Sequence, residues 1–319
     1  MNEFELIARY FTRPNRSALL GNGDDCAIIA PSAGTAFAVT TDTLIEGRHF
    51  LPSLDAAKLG RRIVNVNFSD LAAMGAAPRY ALLSLTLPQI DEAWISQFSE
   101  GLWSVLDAYE IELIGGNTTK GPLAVAMTAF GELPPNAALT RSGARVDDAL
   151  WVSGPLGDAG WALASLTGAK FDATPEQIGK YESPEARVSL GLALRGIATS
   201  CIDISDGLLS EATHLARASR VSIDIDLAAI PTGLSSALQH PQHARQAQHC
   251  LLATGDAYEL LFTAPRDQHD MITAILKREK LPGACIGRVT ALDALNFVRV
   301  VDAQSRVIDI DVKGWDHFA

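Results

Sequence analysis

The chain has 319 residues, 48% hydrophobic and 20% charged, and its 37 acidic against 26 basic residues give a net charge of −11. This composition is typical of a globular protein, and a length beyond ~250–300 residues favours two domains over one. An acidic surface repels nucleic acid and anionic lipid, and no basic run interrupts it. We therefore expect neither nucleic acid nor a membrane as a partner.

The sequence gives no indication of export, of a membrane span or of a thiol-based site. Met1–Glu5 is acidic where a secretory signal would be basic, and no apolar run reaches the ~18 residues of a membrane helix. The cysteines, Cys26, Cys201, Cys250 and Cys285, are far apart and form no C-x-x-C pair. We expect a cytoplasmic protein with reduced cysteines and with neither a zinc site nor a disulfide framework.

Short strands alternate with helices along the whole chain. The first half predicts a helix at 2–11, a strand at 36–40, a helix at 55–76, a strand at 80–87, a helix at 91–109, and strands at 111–114 and 123–130. The second half predicts a strand at 149–152, helices at 157–167 and 184–197, a strand at 201–204, a helix at 207–219, strands at 221–225 and 258–263, a helix at 266–280, a strand at 284–289, and strands near Phe297 and Val307. Turn residues cluster over 134–148, so we predict an α+β or α/β fold with domains at 1–140 and 141–319.

Five short polar segments carry the candidate chemistry, and we interpret each as a strand end followed by polar residues and then by glycine or a helix. They are Gly23–Cys26, Thr40–Thr43, Asn67–Asp70, Gly115–Thr119 and Asp203–Gly207. Their side chains offer oxygen ligands only, which is the chemistry of Mg²⁺. Each segment alone is also typical of a cap or a turn. If the segments converge, cations are needed, because two carboxylates about 4 Å apart repel by about 4 kcal/mol at an effective dielectric constant of 20.

The common nucleotide-binding glycine motifs are absent. The sequence contains neither G-x-x-x-x-G-K-[ST] nor G-x-G-x-x-G. Gly154–Gly160 is rich in glycine between a predicted strand and a predicted helix, where backbone amides could hold an anion. It carries no lysine, and a tight strand-to-helix turn is the better interpretation. A P-loop or Rossmann enzyme is therefore disfavoured.

Further motifs extend the pattern of the five segments to both ends of the chain. They are Gly47–Phe50, Leu139–Gly143, Tyr258–Leu260 and Lys313–Phe318. In this order and spacing the motifs resemble the thiamine-monophosphate kinase family, of the superfamily that includes aminoimidazole ribonucleotide synthetase and selenophosphate synthetase. The resemblance implies that ATP, with several Mg²⁺ ions, phosphorylates thiamine monophosphate to thiamine diphosphate. It also implies a homodimer, formed through an N-terminal ATP- and Mg²⁺-binding sheet domain that precedes a C-terminal α/β domain.

The resemblance also implies roles for individual positions. Metal binding is implied for Asp25, Thr40, Thr41, Asp42, Asp70, Asn117, Asp203 and Asp206; nucleotide contacts for Gly116, Asn117, Arg141, Ser205 and Tyr109; and thiamine-phosphate contacts for His49, Asp256 and Trp315. No single catalytic residue is assigned, because a phosphate monoester with a second pKa of about 6 is already anionic at neutral pH. Positioning and charge neutralisation are then sufficient for the transfer.

Two departures from the family pattern leave alternatives open. Asn117 stands where the family often has aspartate, and Asp256–Ala257 stands where it has Glu-Asp. The changed pair favours, as one alternative, a phosphotransferase of the same superfamily with a different acceptor. A catalytically weak nucleotide-binding dimer is the other alternative. The retained aspartates argue against it, since a retired site has no need of several costly carboxylates.

Overall fold

The structure is a computed structural model that describes residues 2–293, 295–302, 304 and 306–308. The chain forms two compact units, which we name the N-terminal unit and the C-terminal unit. The N-terminal unit comprises the chain up to Leu71 and Ala76–Asn136, and the C-terminal unit comprises Ala72–Gly75 and the chain from Ala137 onward. Each unit combines helices with a sheet, so the predicted α+β fold in two parts is confirmed.

The N-terminal unit is built on one four-stranded sheet. Its elements are α1 (Glu3–Leu6) with a π-helical turn (Ile7–Phe11), β1 (Ala36–Ile45), α2 (Ala56–Ala73), β2 (Ala77–Leu87), α3 (Glu92–Ala108), β3 (Glu112–Lys120) and β4 (Ala124–Leu133). The strand order is β1-β4-β2-β3, so β1 and β3 form the two edges. β4 is antiparallel to β1 and β2, whereas β2 and β3 are parallel.

One face of this sheet is buried and the other is half-open. Along β4, Val125, Met127 and Ala129 are at most 1% exposed, whereas the alternate residues are half-buried. Because successive side chains of a strand point to opposite faces, this alternation separates a core face from an open face. The open face carries Val39 and Ile45 of β1, which are 58% and 43% exposed.

The C-terminal unit is built on a six-stranded sheet in the order β10-β7-β9-β5-β8-β6. Its elements are β5 (Ala149–Val152), α4 (Asp158–Leu166), α5 (Pro175–Glu182), α6 (Val188–Ala193), β6 (Ser200–Asp203), α7 (Leu208–Ser219), β7 (Ser222–Asp226), α8 (Ser235–Gln239), α9 (Ala244–Ala253), β8 (Leu260–Ala264), α10 (His269–Arg278), β9 (Ala284–Thr290) and β10 (Val298–Val301). Only the β10–β7 pair is parallel among these strands. The main core joins Leu150, Ile202 and Ile225 of the sheet to Leu208 and Leu215 of α7.

Most of the predicted elements are confirmed within a few residues, and the errors have local causes. β1 and β3 continue through polar stretches, because pairing with β4 and β2 satisfies their backbone groups. The helix predicted over 184–197 is only α6, and α5, α8 and α9 have no counterpart in the prediction. The start of α5 is nevertheless visible in the sequence: Thr174 and Gln177 form a capping box, with Pro175 at the first helical position.

Candidate functional site

The strand-end interpretation of the polar segments is wrong for most of them. Thr40–Thr43 lies within β1, Asn67–Asp70 within α2 and Gly115–Thr119 within β3. Gly23–Cys26 lies in a loop that follows no strand. Only Asp203–Gly207 has the predicted form, since β6 ends at Asp203 and α7 begins at Leu208. Their polar composition predicted strand ends, but cross-strand and intrahelical hydrogen bonds decide the local structure.

The first group of predicted residues lies on the core face of β1. The Thr40 hydroxyl donates to Oδ2 of Asp70 on α2 over 2.5 Å. Asp42 is two residues beyond Thr40 and therefore shares its face. Thr41 lies on the opposite face, where its hydroxyl donates to the Met127 carbonyl over 3.0 Å. The structure thus brings Thr40 and Asp70 together and turns Thr41 away from them.

A second group lies at the other edge of the same sheet. The side-chain amide of Asn22 donates to the backbone carbonyls of Phe11 and Leu113, over 3.1 and 3.2 Å. These bonds anchor the loop that contains Asp25 beside β3. Asn22 was not among the predicted site residues, since an asparagine alone carries no recognisable signal. Gly116 has φ +149°, and a Cβ there would lie 1.8 Å from the Leu83 carbonyl oxygen, so only glycine fits.

These two groups are separate in the sheet. Asp42 pairs with Met127, Met127 with Leu83, and Leu83 with Gly116, so Asp42 and Gly116 lie in one row. Three strand spacings of about 4.8 Å separate them by about 14 Å. The exposed Asn117 follows Gly116 on β3. Asp42 and Gly116 are therefore not in direct contact, and one ligand that reached both would have to span about 14 Å.

The turn after β1 holds His49. The Ile45 amide donates to Nδ1 of His49 over 3.1 Å, so in the neutral imidazole the proton is on Nε2. Arg62 of α2 is only 1% exposed, and its Nη2 donates a hydrogen bond to the backbone carbonyl of His49 over 3.4 Å, which ties the turn to α2. An N–H donor on Nε2 is a group that suits a phosphate contact. Tyr109 lies elsewhere in the N-terminal unit, at the end of α3, edge-on to Phe68 at 5.4 Å.

In the C-terminal unit, two loops are joined by backbone hydrogen bonds. The amide of Asp256 donates to the Ser205 carbonyl over 2.9 Å, and the amide of Tyr258 to the Ile204 carbonyl over 2.8 Å. A Cβ at Gly255 would lie 1.9 Å from the Ser205 carbonyl oxygen, so the approach requires glycine. The structure therefore brings Asp206 and Ser205 next to Asp256.

The second of these loops is conformationally strained. Asp256 and Tyr258 both have left-handed backbone conformations, with φ of +64° and +50°. Such conformations cost about 1–3 kcal/mol each in a non-glycine residue and persist where neighbouring structure holds them. Glu259 directly follows this loop and is held firmly: its buried carboxylate accepts from Nη2 and Nε of Arg187, over 2.5 and 2.9 Å, and from the Ser153 hydroxyl.

The remaining predicted residues are placed as follows. Asp203, at the end of β6, is 4% exposed. Arg141 is exposed, and its segment is attached beside β6, because the Cys201 amide donates to the Thr140 carbonyl over 2.8 Å. Trp315 lies outside the described residues, so its predicted role stays a prediction.

The sequence prediction missed Glu211, in the first turn of α7. Glu211 is 2% exposed; its Oε1 accepts from the Asp206 amide over 3.1 Å, and its Oε2 is buried without a hydrogen-bond partner. Burial raises the pKa of Glu211 to about 8, and the Asp206 and Asp203 carboxylates add to the rise, against the lowering effect of the Asp206 and Glu211 backbone amides. An acidic residue between Leu208 and Ala212, within an otherwise apolar helix face, was the available signal.

Each unit separately offers donors that fit a hard divalent cation. Thr40 and Asp70 in the N-terminal unit, and Asp203 and Asp206 in the C-terminal unit, offer oxygen only. In the C-terminal unit, the unsatisfied Oε2 of Glu211 is the kind of atom that a hydrated cation satisfies. Within the described ranges no three His, Cys, Asp or Glu side chains are already gathered in a metal-binding arrangement. In the same part of the chain, every helix is too short or too polar to cross a membrane.

Comparison with known proteins identifies the family of both units. The chain matches the AIR synthase related protein N-terminal domain over residues 23–133 and the C-terminal domain over residues 145–299. It is 42% identical to thiamine-monophosphate kinase of Escherichia coli (strain K12) over 325 residues, covering 99% of this chain and 98% of that protein.

Solved structures support the same grouping. The crystal structure of thiamine-monophosphate kinase from Stenotrophomonas maltophilia K279a is similar with a TM-score of 0.83 and 38% identity, covering 96% of each chain. A structure described as AaThiL complexed with AMPPCP and TMP is similar with a TM-score of 0.74 and 30% identity, covering 91% of this chain and 89% of that chain. With both domains matched and identity extending from end to end, the chain belongs to the thiamine-monophosphate kinase family of AIR synthase related proteins.

Proposed function

We propose that the protein phosphorylates thiamine monophosphate with ATP, in the presence of Mg²⁺, to give thiamine diphosphate and ADP. The observation that carries this proposal is the end-to-end similarity to thiamine-monophosphate kinases, at 42% identity for the Escherichia coli relative. The similar structure described as a complex with AMPPCP and TMP supports a nucleotide and a thiamine phosphate as ligands.

The transfer we propose is direct and in line. An oxygen of the acceptor phosphate forms a bond to the γ-phosphorus while the bond from that phosphorus to the ADP oxygen breaks. A phosphate monoester with a second pKa of about 6 is already ionised at neutral pH, so no side chain has to remove a proton. The main obstacle is repulsion between two anions, and the residues of the site act by positioning and neutralising them.

Each group of residues has a distinct part in that task. We assign nucleotide contacts to Gly116 and Asn117 on β3 and to Ser205 and Arg141 in the C-terminal unit. Arg141 supplies the permanent positive charge among them. Tyr109 is assigned a nucleotide contact as well, as a flat ring at the end of α3.

We assign Mg²⁺ binding to carboxylates and hydroxyls, namely Asp25, Thr40, Thr41, Asp42, Asp70, Asn117, Asp203 and Asp206. When bound, Mg²⁺ supplies neutralisation of the charge on the transferring phosphoryl group. Thr40 holds Asp70 in place through their 2.5 Å hydrogen bond, and Glu211 holds the Asp206 amide. Thr41 and Asn117 are the least supported members, because the side chains of both lie on the open face of the sheet.

The acceptor contacts we propose are His49, Asp256 and Trp315. His49 presents a donor on Nε2, which suits the phosphate of the acceptor. Asp256 is held beside Ser205 by the joined loops, so it places the acceptor next to a nucleotide contact. Trp315 would stack on the cationic thiazolium or on the pyrimidine ring.

We also propose a homodimer and a cytoplasmic location. The dimer is supported by the open face of the N-terminal sheet, where Val39 and Ile45 leave apolar surface exposed. The location is supported by the cysteines, all of which are free, as in a reducing compartment.

The deciding experiment is an assay of purified protein with ATP, MgCl₂ and thiamine monophosphate, in which thiamine diphosphate is measured. Product that requires all three components is the expected result. Phosphorylation of a different acceptor, with none of thiamine monophosphate, would instead support a related phosphotransferase, and the Asp256–Ala257 departure is what favours that alternative. Mg²⁺-dependent nucleotide binding without any transfer would support the catalytically weak dimer.

A further inference from the structure

The first turn of α7 contains a buried carboxyl group in which only one of the two oxygens accepts a hydrogen bond. Glu211 is 2% exposed, and its Oε1 accepts the Asp206 amide over 3.1 Å. Its Oε2 is buried without a hydrogen-bond partner, and the described part of the chain supplies no ion pair to it. Native structures rarely leave a buried carboxyl oxygen unsatisfied, because doing so costs about 1–3 kcal/mol or more.

A purely structural role explains one oxygen but not the other. The contact from Oε1 to the Asp206 amide occupies a donor next to the start of α7, and a neutral glutamine would make it equally well. The positive end of the helix dipole contributes only about 0.3–1 kcal/mol to a charge near the surface. Neither effect accounts for a buried carboxyl group with Oε2 left over.

The neighbours of Glu211 make an electrostatic role specific. Glu211 shares this loop with two further acidic residues: Asp206, whose amide it accepts, and Asp203, which is 4% exposed at the end of β6. Holding all three carboxyl groups as anions is costly unless a cation balances them. Asp203, Asp206 and Glu211 are not arranged as three direct ligands of one ion. A carboxyl group that contacts a metal ligand instead of the metal is typical of an outer-shell residue, which can also contact metal-bound water.

We propose that Glu211 is a positioning residue of the cation site on the C-terminal unit: Oε1 fixes the backbone of Asp206, and Oε2 accepts a hydrogen bond from water on the divalent cation that Asp203 and Asp206 bind. This inference rests on the proposed function, which places Mg²⁺ at those two aspartates. It adds a residue to the site and assigns to it control of the affinity for the cation.

The test compares Glu211→Gln with wild type, using Glu176→Gln as the matched control. Glu176 also lies in the first turn of a helix, α5, but it is exposed. The first readout is the Mg²⁺ concentration that half-saturates binding of a non-hydrolysable ATP analogue, measured by calorimetry. The second is binding of Mn²⁺ alone, followed by electron paramagnetic resonance. Neither requires turnover.

Glu211→Gln is expected to raise the half-saturating Mg²⁺ concentration and the Mn²⁺ dissociation constant by about 10–100-fold, with nucleotide binding rescued at high Mg²⁺. The control should match wild type. An unchanged Mg²⁺ dependence in Glu211→Gln would show that Glu211 is only a helix-start residue and would overturn the inference. If Glu211→Gln fails to fold, Glu211→Asp decides: it keeps the charge but withdraws the oxygen, so unchanged cation binding overturns the inference and weakened binding supports it.

Failure of the proposed function gives a different result. In that case wild type binds nucleotide with Mg²⁺ but forms no thiamine diphosphate, while the difference in Mg²⁺ dependence between wild type and Glu211→Gln remains measurable. That outcome supports the role of Glu211 and rejects the acceptor.

Discussion

Replacing Glu259 with alanine should destabilise the C-terminal unit far more than replacing another acidic partner of the same arginine. The Glu259 side chain is 5% exposed and binds two nitrogens of Arg187, whose side chain is 20% exposed. Removing one member of a buried ion pair leaves the other charge uncompensated, which costs about 3–5 kcal/mol. Arg187 also contacts Glu185 over 3.4 Å, but the Glu185 side chain is 80% exposed. Glu185→Ala should therefore cost less than about 1 kcal/mol.

A second variant separates the ion pair from simple loss of packing. Replacing both partners of a buried ion pair by apolar residues lowers the stability much less than removing one partner. The double variant Arg187→Met, Glu259→Ala should therefore be more stable than the single variant Glu259→Ala. The expected coupling energy in this double-mutant cycle is about 1.5–3 kcal/mol. Additive effects of the two substitutions would refute the assignment of a buried ion pair.

Urea denaturation at neutral pH, followed by far-ultraviolet circular dichroism, measures these free energies of unfolding. Hydrogen exchange of the peptide that spans 254–260 provides the local readout, since Glu259 supports the strained loop of Asp256 and Tyr258. Glu259→Ala should exchange faster there, and the KM for thiamine monophosphate should rise more than the affinity for ATP falls. If Glu259→Ala and Glu185→Ala lose equal stability, the reasoning from burial is wrong.

Three further predictions concern the N-terminal unit. Asp70→Asn should abolish most Mg²⁺-dependent activity. The free energy of unfolding measured in EDTA should stay within about 1 kcal/mol of wild type, because the amide oxygen still accepts a hydrogen bond from the Thr40 hydroxyl. A larger loss of stability would make Asp70 a structural residue. His49→Ala should raise the KM for thiamine monophosphate and leave ATP binding unchanged, and equal damage to both would contradict the phosphate contact. Burial raises the pKa of Glu112, but hydrogen bonds led by that from the Ser17 hydroxyl outweigh it, so the pKa lies below the usual 4.5. The stability that the Glu112 carboxylate contributes is therefore lost as the pH falls below 4.5. Glu112→Gln should flatten that acid limb in a denaturation series.

The sequence predicted the positions of most elements but not their lengths. Apolar residues located the start of β1, whereas the polar residues of Thr40–Thr43 predicted that the strand ends there. The structure continues β1 to Ile45, since β4 pairs with it along the whole length. Strand pairing is a long-range interaction, and no local pattern in the sequence predicts where the pairing ends.

The candidate site shows the same division between local and long-range information. Motif order identified the family and the site residues that it implies, and Asp203–Gly207 has the predicted local form. No local pattern predicts that Asp256 lies beside Ser205, because that contact depends on backbone hydrogen bonds between segments about 50 residues apart. Glu211 was missed for the opposite reason: only its burial distinguishes it from an ordinary first-turn acid.

The formal charge of −11 therefore says little about the surface that two phosphorylated substrates would meet. Asp70 is already held by the Thr40 hydroxyl, and Glu211 holds the backbone that carries Asp206, so these acids are positioned before any ligand arrives. Positioned carboxylates repel a triphosphate without cations and attract its Mg²⁺ complex with them. Because such contacts are short and partly buried, they are screened by salt much less than exposed charges are. Binding of the ATP analogue should consequently depend steeply on Mg²⁺ and only weakly on NaCl, whereas attraction to the general surface would show the reverse.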